Sequence, residues 1–295
     1  DRHLDLIVRP GPVTQFNVVG PAIVKPGQSF SVKLSGTDAF RNHQDTQWEG
    51  DLRISCSDPL TSVPGGIRLS TEDNNRTTVS GVRVQSEGVH HLFVEPEEGG
   101  DRCASNPFWC TNRNLQVYYG DLHCHSMYHG NGRSIGTPEE GYQYGRDVAG
   151  LDFMGITDGG GYKSEGWVET QEVTNQYHEP GKFVTFKGFE YGYQLGHRNV
   201  IYRDCEVEPV LDFSDGFFEY YRGREDRLII PHHTKVRTDW DYYDPDLEPL
   251  VEVYSCWGSG VEHADPLWNK SENEGAGVFN ALRRGYRMGF IGSGD

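Results

Sequence analysis

From residue 118 to residue 295 the sequence alternates between strand-like and helix-like segments, and this alternation constrains the possible folds more than any other feature. Thr137-Pro-Glu-Glu has the features of a capping box, with Thr at the N-cap and Glu at the third helical position. The helix that it begins is expected to end at Gly150, and a second helix is predicted over residues 277–284. Strands are predicted over residues 116–123, 151–157, 183–190, 228–231, 250–254 and 288–292. Repeated units of this kind predict a parallel sheet, most simply a β/α barrel.

Residues 1–117 follow a different pattern, in which short alternating runs are separated by turns rich in Gly, Pro, Asn and Asp. No long helical period interrupts these runs, so we predict an all-β sandwich of the immunoglobulin type. The domains are therefore expected at residues 1–117 and 118–295. The first domain either binds a substrate or a surface, or only packs against the second. It contains no cluster of catalytic side chains, which favours packing.

The charge and the apolar runs of the chain limit its partners. The formal net charge of −17 argues against nucleic acid as the main partner, because phosphate backbones select basic surfaces. Wholly apolar stretches are only a few residues long, so no membrane span is predicted.

Cys103 and Cys110 flank a loop that is long enough to close a disulfide. The sequence leaves open whether the two form a bond or remain free thiols.

Two histidines at the end of the strand over residues 116–123 are candidate metal ligands. His123 and His125 lie two residues apart, so on a strand their imidazoles share one face while Cys124 points away. Two imidazoles at this spacing can bind one ion. The alternative is a pair of solvated or core histidines, and Cys124 is expected to be a small buried residue.

Other residues of metal-ligand type come at or just after further predicted strands, which is where β/α barrels build their active sites. A single histidine in such a place would usually be structural. Several of them at the strand ends of one sheet favour a common site. The residues are Glu190, His197, His232, His233 and Asp295.

The C-terminal half resembles the PHP (polymerase and histidinol phosphatase) superfamily, and within it most closely the DUF3604 group. A β-rich first half that ends in Ser105-Asn-Pro is also similar to that group, more loosely. The segments that carry the resemblance are Tyr119-Gly-Asp-Leu-His-Cys-His-Ser, Thr137-Pro-Glu-Glu, Leu151-Asp-Phe-Met-Gly-Ile-Thr-Asp, Gly188-Phe-Glu, Gly196-His-Arg-Asn-Val, Ile230-Pro-His-His, Val251-Glu-Val-Tyr-Ser and Ile291-Gly-Ser-Gly-Asp.

The resemblance implies two metal ions in a PHP-type, distorted TIM-like barrel. His123, His125 and Asp295 would hold the first ion, Glu190 would bridge to the second, and His197 and His232 would complete it. The family has a further His two residues after the Asp, where this sequence has already ended. The barrel is therefore expected to be truncated at its C-terminal end.

Two departures from the family pattern bear on the metal count. Gly159 stands where the family usually has His, and the usual Asp or His after the paired histidines is missing near Gly130-Asn131. These positions supply a third ion in trinuclear members, so we expect two ions at most. His129 is a candidate substitute for the missing ligand. Asp158 is expected either to assist proton transfer or to be structural.

The resemblance implies a phosphoesterase that uses Zn²⁺, Mn²⁺ or Fe to activate water. His233 is the candidate general acid, and Arg198, Lys235 and Arg237 are candidates for holding a small anionic substrate, or are solvated surface charges. One alternative is a hydrolase of a sulfate ester, amide or lactone on the same centre. The other is a binding protein in which the site has decayed.

Overall fold

The computed structural model describes residues 9–43, 48–130, 134, 136–159, 166–193, 196–203, 216–234, 238–261 and 275–295. Its contacts divide the chain into two units, one of Asp1–Tyr118 with Tyr144–Gly150 and one of Tyr119–Gln143 with Leu151–Asp295. The predicted domains at residues 1–117 and 118–295 stay a prediction. Within the ranges given, no helix has the length and apolar character needed to cross a membrane.

Short strands make up the regular structure of the first unit up to residue 118. Strand β3 buries Val32 and Leu34, and β4 buries Leu52 and Ile54. Each pair lies two residues apart, as expected for a strand with one buried face, and all four side chains belong to one hydrophobic core. The strands are β1 (Gln15–Val19), β2 (Ile23–Val24), β3 (Ser29–Thr37), β4 (Gly50–Cys56), β5 (Ile67–Leu69), β6 (Arg76–Arg83), β7 (Gly88–His90), β8 (Leu92–Pro96), β9 (Cys103–Ala104) and β10 (Phe108–Cys110).

These strands form three small sheets, with the orders β1-β3-β6, β2-β10-β7 and β5-β4-β8-β9. An immunoglobulin-like sandwich has two sheets, so the predicted architecture is wrong here. The reason is that, within residues 9–43 and 48–118, the short strands β2, β7 and β10 pair only with one another. Cys103 and Cys110 lie in different sheets and are free thiols.

The second unit contains two further sheets, of orders β11-β12-β13-β14-β15 and β17-β16-β18. Its strands are β11 (Gly120–Cys124), β12 (Phe153–Ile156), β13 (Val184–Tyr193), β14 (Gly196–Tyr202), β15 (Arg227–His232), β16 (Leu250–Ser255), β17 (Gly258–Ser259) and β18 (Gly289–Gly292). Its helices are α1 (Pro138–Gln143), α2 (Gly166–Tyr177), α3 (Phe217–Tyr221) and α4 (Val278–Arg283).

The predicted α/β barrel, distorted and TIM-like, is also wrong. Strands β11, β12 and β13 are parallel, but β14 is antiparallel to both β13 and β15. Only residues 194–195 separate β13 from β14, and so short a connection joins antiparallel strands, because a parallel pair needs a crossover of a dozen residues or more. In the described ranges the sheets are small and open, and the fold is β-rich.

The capping box that the sequence predicts is confirmed. Glu140 donates its backbone N–H to Thr137 Oγ1 at 3.2 Å, and Thr137 donates its own N–H to Glu140 Oε2 at 2.8 Å. Helix α1 then widens into a π-helical segment, Tyr144–Ala149. Gly150 follows at φ 68°, the left-handed conformation that ends helices.

Candidate metal centre

The five-stranded sheet brings the predicted ligands to one edge. His232 ends β15, and His197 is the second residue of β14 and lies directly opposite His232 in the register. Glu190 lies inside β13, three residues before its end. Because β14 runs against its neighbours, its beginning meets the ends of β13 and β15. The sheet therefore brings Glu190, His197 and His232 close together, although His197 is not at the end of a strand.

Asp295 is held at the same edge by backbone hydrogen bonds. Its N–H donates to the carbonyl oxygen of His123 at 2.7 Å, and the N–H of Gly294 donates to Asp121 Oδ2 at 2.8 Å. Both contacts tie the residues after β18 to β11, at Asp121 and at His123. We call the resulting group the histidine–carboxylate cluster, which consists of His123, His125, Glu190, His197, His232, His233 and Asp295.

Glu190 divides its two carboxylate oxygens between different histidines. Oε2 lies 3.4 Å from His125 Nε2, whereas Oε1 lies 3.6 Å from His232 Nε2 and also contacts His197 Nδ1. The side chain is buried. A carboxylate in this position can contact two cations, one at each oxygen.

Asp295 completes the group on the His125 side. Its Oδ1 lies 3.4 Å from His123 Nε2 and 3.2 Å from His125 Nε2, and its Oδ2 lies 3.3 Å from His233 Nε2. The pair His123 and His125 thus converges on one carboxylate oxygen, as expected from their spacing.

Buried imidazole nitrogens in the cluster have no hydrogen-bond partner among the described residues. They are Nε2 of His123 and both ring nitrogens of His125 and His232. Burying a polar nitrogen without a partner costs free energy, so native structures usually satisfy such atoms. The potential ligand atoms of Glu190, His197, His232 and His233 lie within 4.8 Å of one another, as do those of His123, His125 and Glu190. Nitrogens that converge in this way, beside carboxylates, fit divalent metal ions.

Glu252 belongs to this environment, and the sequence reasoning missed it as a functional residue. Its Oε2 lies 2.7 Å from His123 Nδ1 and accepts a hydrogen bond from Ser293 at 2.6 Å. A carboxylate on the second nitrogen of a histidine is the usual support of a metal ligand, because it fixes the orientation of the ring. The signal was a single acidic residue between Val251 and Val253 in a strand that reads as buried.

Burial and neighbouring charges shift the pKa values of the side chains in the cluster. Burial raises the pKa of Glu190. Contact with His197 and the charge of nearby imidazoles outweigh this effect and lower that pKa to about 2. Burial also raises the pKa of Asp295, but His125 and the other histidines outweigh it and leave that pKa below its usual range. Burial and neighbouring imidazoles hold the pKa of His232 well below the usual value. Near neutral pH these groups are ionised carboxylates and a neutral imidazole, the forms that bind metal ions.

His233 reaches the cluster through an unusual backbone conformation. Strand alternation predicts that His233 points away from His232, but the strand ends at His232 and His233 has φ 48°. This left-handed conformation is uncommon for residues other than Gly and clusters at functional sites. The two rings lie 4.6 Å apart between centroids. Burial lowers the pKa of His233 to about 4, so its ring is neutral at pH 7.

Asp158 supports the segment that follows His125. It accepts hydrogen bonds from the backbone N–H and the hydroxyl of Ser126, at 2.7 and 2.5 Å. Ser126 in turn caps the 3₁₀ turn Met127–His129. Asp158 Oδ1 also lies 3.8 Å from His125 Nδ1. Of the two roles expected for Asp158, these contacts favour the structural one.

The structure does not bring Arg198, one of the predicted substrate-binding cations, to the cluster. Arg198 is completely buried and donates from Nε to Glu248 Oε1 at 2.6 Å. It follows His197 on β14, so its side chain leaves the opposite face of the strand. Lys235 and Arg237 lie outside the described residues.

One family profile matches part of the chain. Residues 147–216 match the family described as "Protein of unknown function (DUF3604)". The matched range includes Asp158, Glu190 and His197. The similarity to the DUF3604 group that the sequence motifs indicate is therefore found independently over this segment.

Similar proteins were also found by sequence and by structure. Over 97% of its length the chain is 21% identical to an uncharacterized protein of Chlamydia pneumoniae, and it spans 49% of that protein. Domains 4 and 5 of the S-layer protein SbsC match 35% of this chain and 47% of their own, at 19% identity and a TM-score of 0.25. The PKD domain of an M14-like peptidase from a Thermoplasmatales archaeon matches over 35% of this chain and 100% of its own, at 14% identity and a TM-score of 0.23. These TM-scores are too low to support a statement about the fold.

Proposed function

We propose that this protein is a metal-dependent hydrolase that binds two divalent ions in the histidine–carboxylate cluster and acts on a phosphoester. The observation that carries the proposal is that the two carboxylate oxygens of Glu190 face different histidines, Oε2 on one side and Oε1 on the other. The first ion would be held by His123, His125, Asp295 and Glu190 Oε2. The second would be held by Glu190 Oε1, His197 and His232.

The donor set limits which ions fit. Imidazole and carboxylate ligands suit Zn²⁺, Mn²⁺ or Fe, whereas Mg²⁺ and Ca²⁺ prefer oxygen ligands alone. Among the described residues the buried ring nitrogens of His125 and His232 have no hydrogen-bond partner, which supports binding, because an ion would satisfy one nitrogen of each ring.

If ions were bound by these residues, they would lower the pKa of bound water and stabilise the charge that develops on the oxygens of an ester. The protein's own contribution is to orient the ligands and to move protons. Glu252 keeps the ring of His123 in place. His233 is neutral near pH 7, so its ring can accept a proton and then return it, and its Nε2 lies 3.3 Å from Asp295 Oδ2; we assign it as the acid–base group. The phosphoester class is supported by the resemblance of the motifs to the PHP superfamily.

The metal content of the purified protein is the first test. We expect about two Zn, Mn or Fe ions per chain by elemental analysis. The metal-loaded protein should then be assayed on phosphomonoesters, phosphodiesters, a sulfate ester, an amide and a lactone. Turnover of a phosphoester alone supports the proposal, and turnover of another class corrects the substrate. Near-zero metal after loading with each ion would contradict the proposal and favour a decayed site.

The adjacent histidines His232 and His233 should differ in their effects. His232→Ala removes a ligand, so we expect the metal content to fall, whereas His233→Ala should retain the metal and slow turnover about 100-fold. Elemental analysis and steady-state kinetics on both variants make the comparison. His178→Ala, in which the lost imidazole bonds only to Thr185 among the described contacts, is the control. The opposite pattern, with metal lost from the His233 variant, would reverse the assignment.

A further inference from the structure

His129 occupies the space that a side chain at position 159 would need. A Cβ placed on Gly159 would lie 2.9 Å from His129 Cε1, which is closer than such atoms approach. The ring of His129 lies against that of His125, with centroids 3.6 Å apart, and its Nε2 is 3.6 Å from Glu190 Oε2. The imidazole therefore reaches the cluster from another segment of the chain, and the absence of a side chain at Gly159 makes room for it.

The backbone of Gly159 determines which nitrogen of His129 carries the proton. The N–H of Gly159 donates to His129 Nδ1 at 2.8 Å, so Nδ1 must offer a lone pair. In a neutral imidazole the other nitrogen then bears the hydrogen. If Nε2 bound a metal ion, the hydrogen of the neutral ring would have to be on Nδ1. There it would point at the N–H of Gly159, and the hydrogen bond between the two groups would be lost. His129 thus presents an N–H, and not a lone pair, to the cluster.

The segment that carries His129 is held in place independently of any ion. Asp158 bonds to Ser126, and Ser126 caps the turn that ends at His129. A donor that is fixed before the substrate arrives stabilises a negatively charged oxygen without reorganisation.

We propose that His129 donates a hydrogen bond from Nε2 to an oxygen of an anionic substrate bound beside Glu190 Oε2, and that it is not the ligand of a third ion. The inference rests on the proposed function for the identity of the substrate. The tautomer and the non-ligand role rest on the contact with Gly159 alone. His129 is then a catalytic residue, because it touches the substrate.

Three measurements on the full chain test this assignment. Long-range ¹H–¹⁵N correlation spectra of the Zn-loaded protein should show His129 protonated at Nε2. His129→Ala should keep the wild-type number of ions and lower kcat about 100-fold, the loss typical of one preorganised donor. His129→Gln, which retains an N–H near the position of Nε2, should recover part of that loss.

Gly159→Ala provides an independent variant, since its Cβ should displace the ring. We expect its kcat to match that of His129→Ala and the double variant to be no worse than either single one. Gly141→Ala, whose Cβ would meet Ile156 at an ordinary 3.5 Å, is the control. Loss of one ion from His129→Ala, or a proton on Nδ1, would overturn the inference while leaving the proposed function intact. A wild-type protein that binds no metal would defeat the proposed function, and the tautomer would still be measurable.

Discussion

Glu190→Gln is expected to remove most of the bound metal and nearly all hydrolysis. The two oxygens of Glu190 face separate groups of histidines, so its charge is proposed to contact both ions. An amide keeps the shape but supplies one neutral oxygen. Outer-shell partners of metal ligands already contribute about 10–100-fold to affinity, and a bridging ligand should contribute more. Elemental analysis and turnover of the variant, loaded with metal in parallel with wild type, give the result.

Glu179→Gln is the matched control for this change. Glu179 is an exposed glutamate that pairs with Lys182 on the surface, so its loss should affect neither metal content nor turnover. If Glu190→Gln kept normal metal stoichiometry and an activity within a few-fold of wild type, the bridging assignment would be wrong.

Glu248→Ala should destabilise the fold more than any surface substitution. Glu248 and Arg198 are both completely buried and joined by a charged hydrogen bond. Removing Glu248 takes away a charged hydrogen bond that the buried guanidinium of Arg198 makes, and breaking a buried ion pair in this way costs about 3–5 kcal/mol. The free energy of unfolding in urea measures the effect. Metal-free protein should be used, so that bound ions do not contribute to stability.

A double replacement separates the buried charge from the lost packing. Arg198→Met combined with Glu248→Leu removes both charges and keeps apolar volume, so we expect it to be much closer to wild type than Glu248→Ala. Glu179→Ala, which breaks an exposed ion pair, should change stability by less than about 1 kcal/mol. If Glu248→Ala also lowered the free energy of unfolding by less than about 1 kcal/mol, the buried pair would not be a determinant of stability.

Features that depend on neighbouring residues could be predicted from the sequence. The capping box at Thr137 and Glu140 follows from residues three apart, and the structure contains both of its hydrogen bonds. The convergence of His123 and His125 follows from strand alternation, and both rings face Asp295. Thr137 and Glu140 are three positions apart in the sequence, and His123 and His125 are two apart. Over so short a distance the geometry of the backbone determines which side chains share a face.

Features that depend on remote residues were decided by the tertiary structure. The direction of β14 replaced a barrel with a mixed open sheet, although each predicted strand of the C-terminal half was present in some form. The burial of Arg198 against Glu248 and the contact of His123 with Glu252 join residues 50 and 129 positions apart. The position of His129 depends on a glycine 30 residues away. Local periodicity determines which face of a strand a side chain occupies, but which strands pair, and in which direction, is set by contacts between distant parts of the chain.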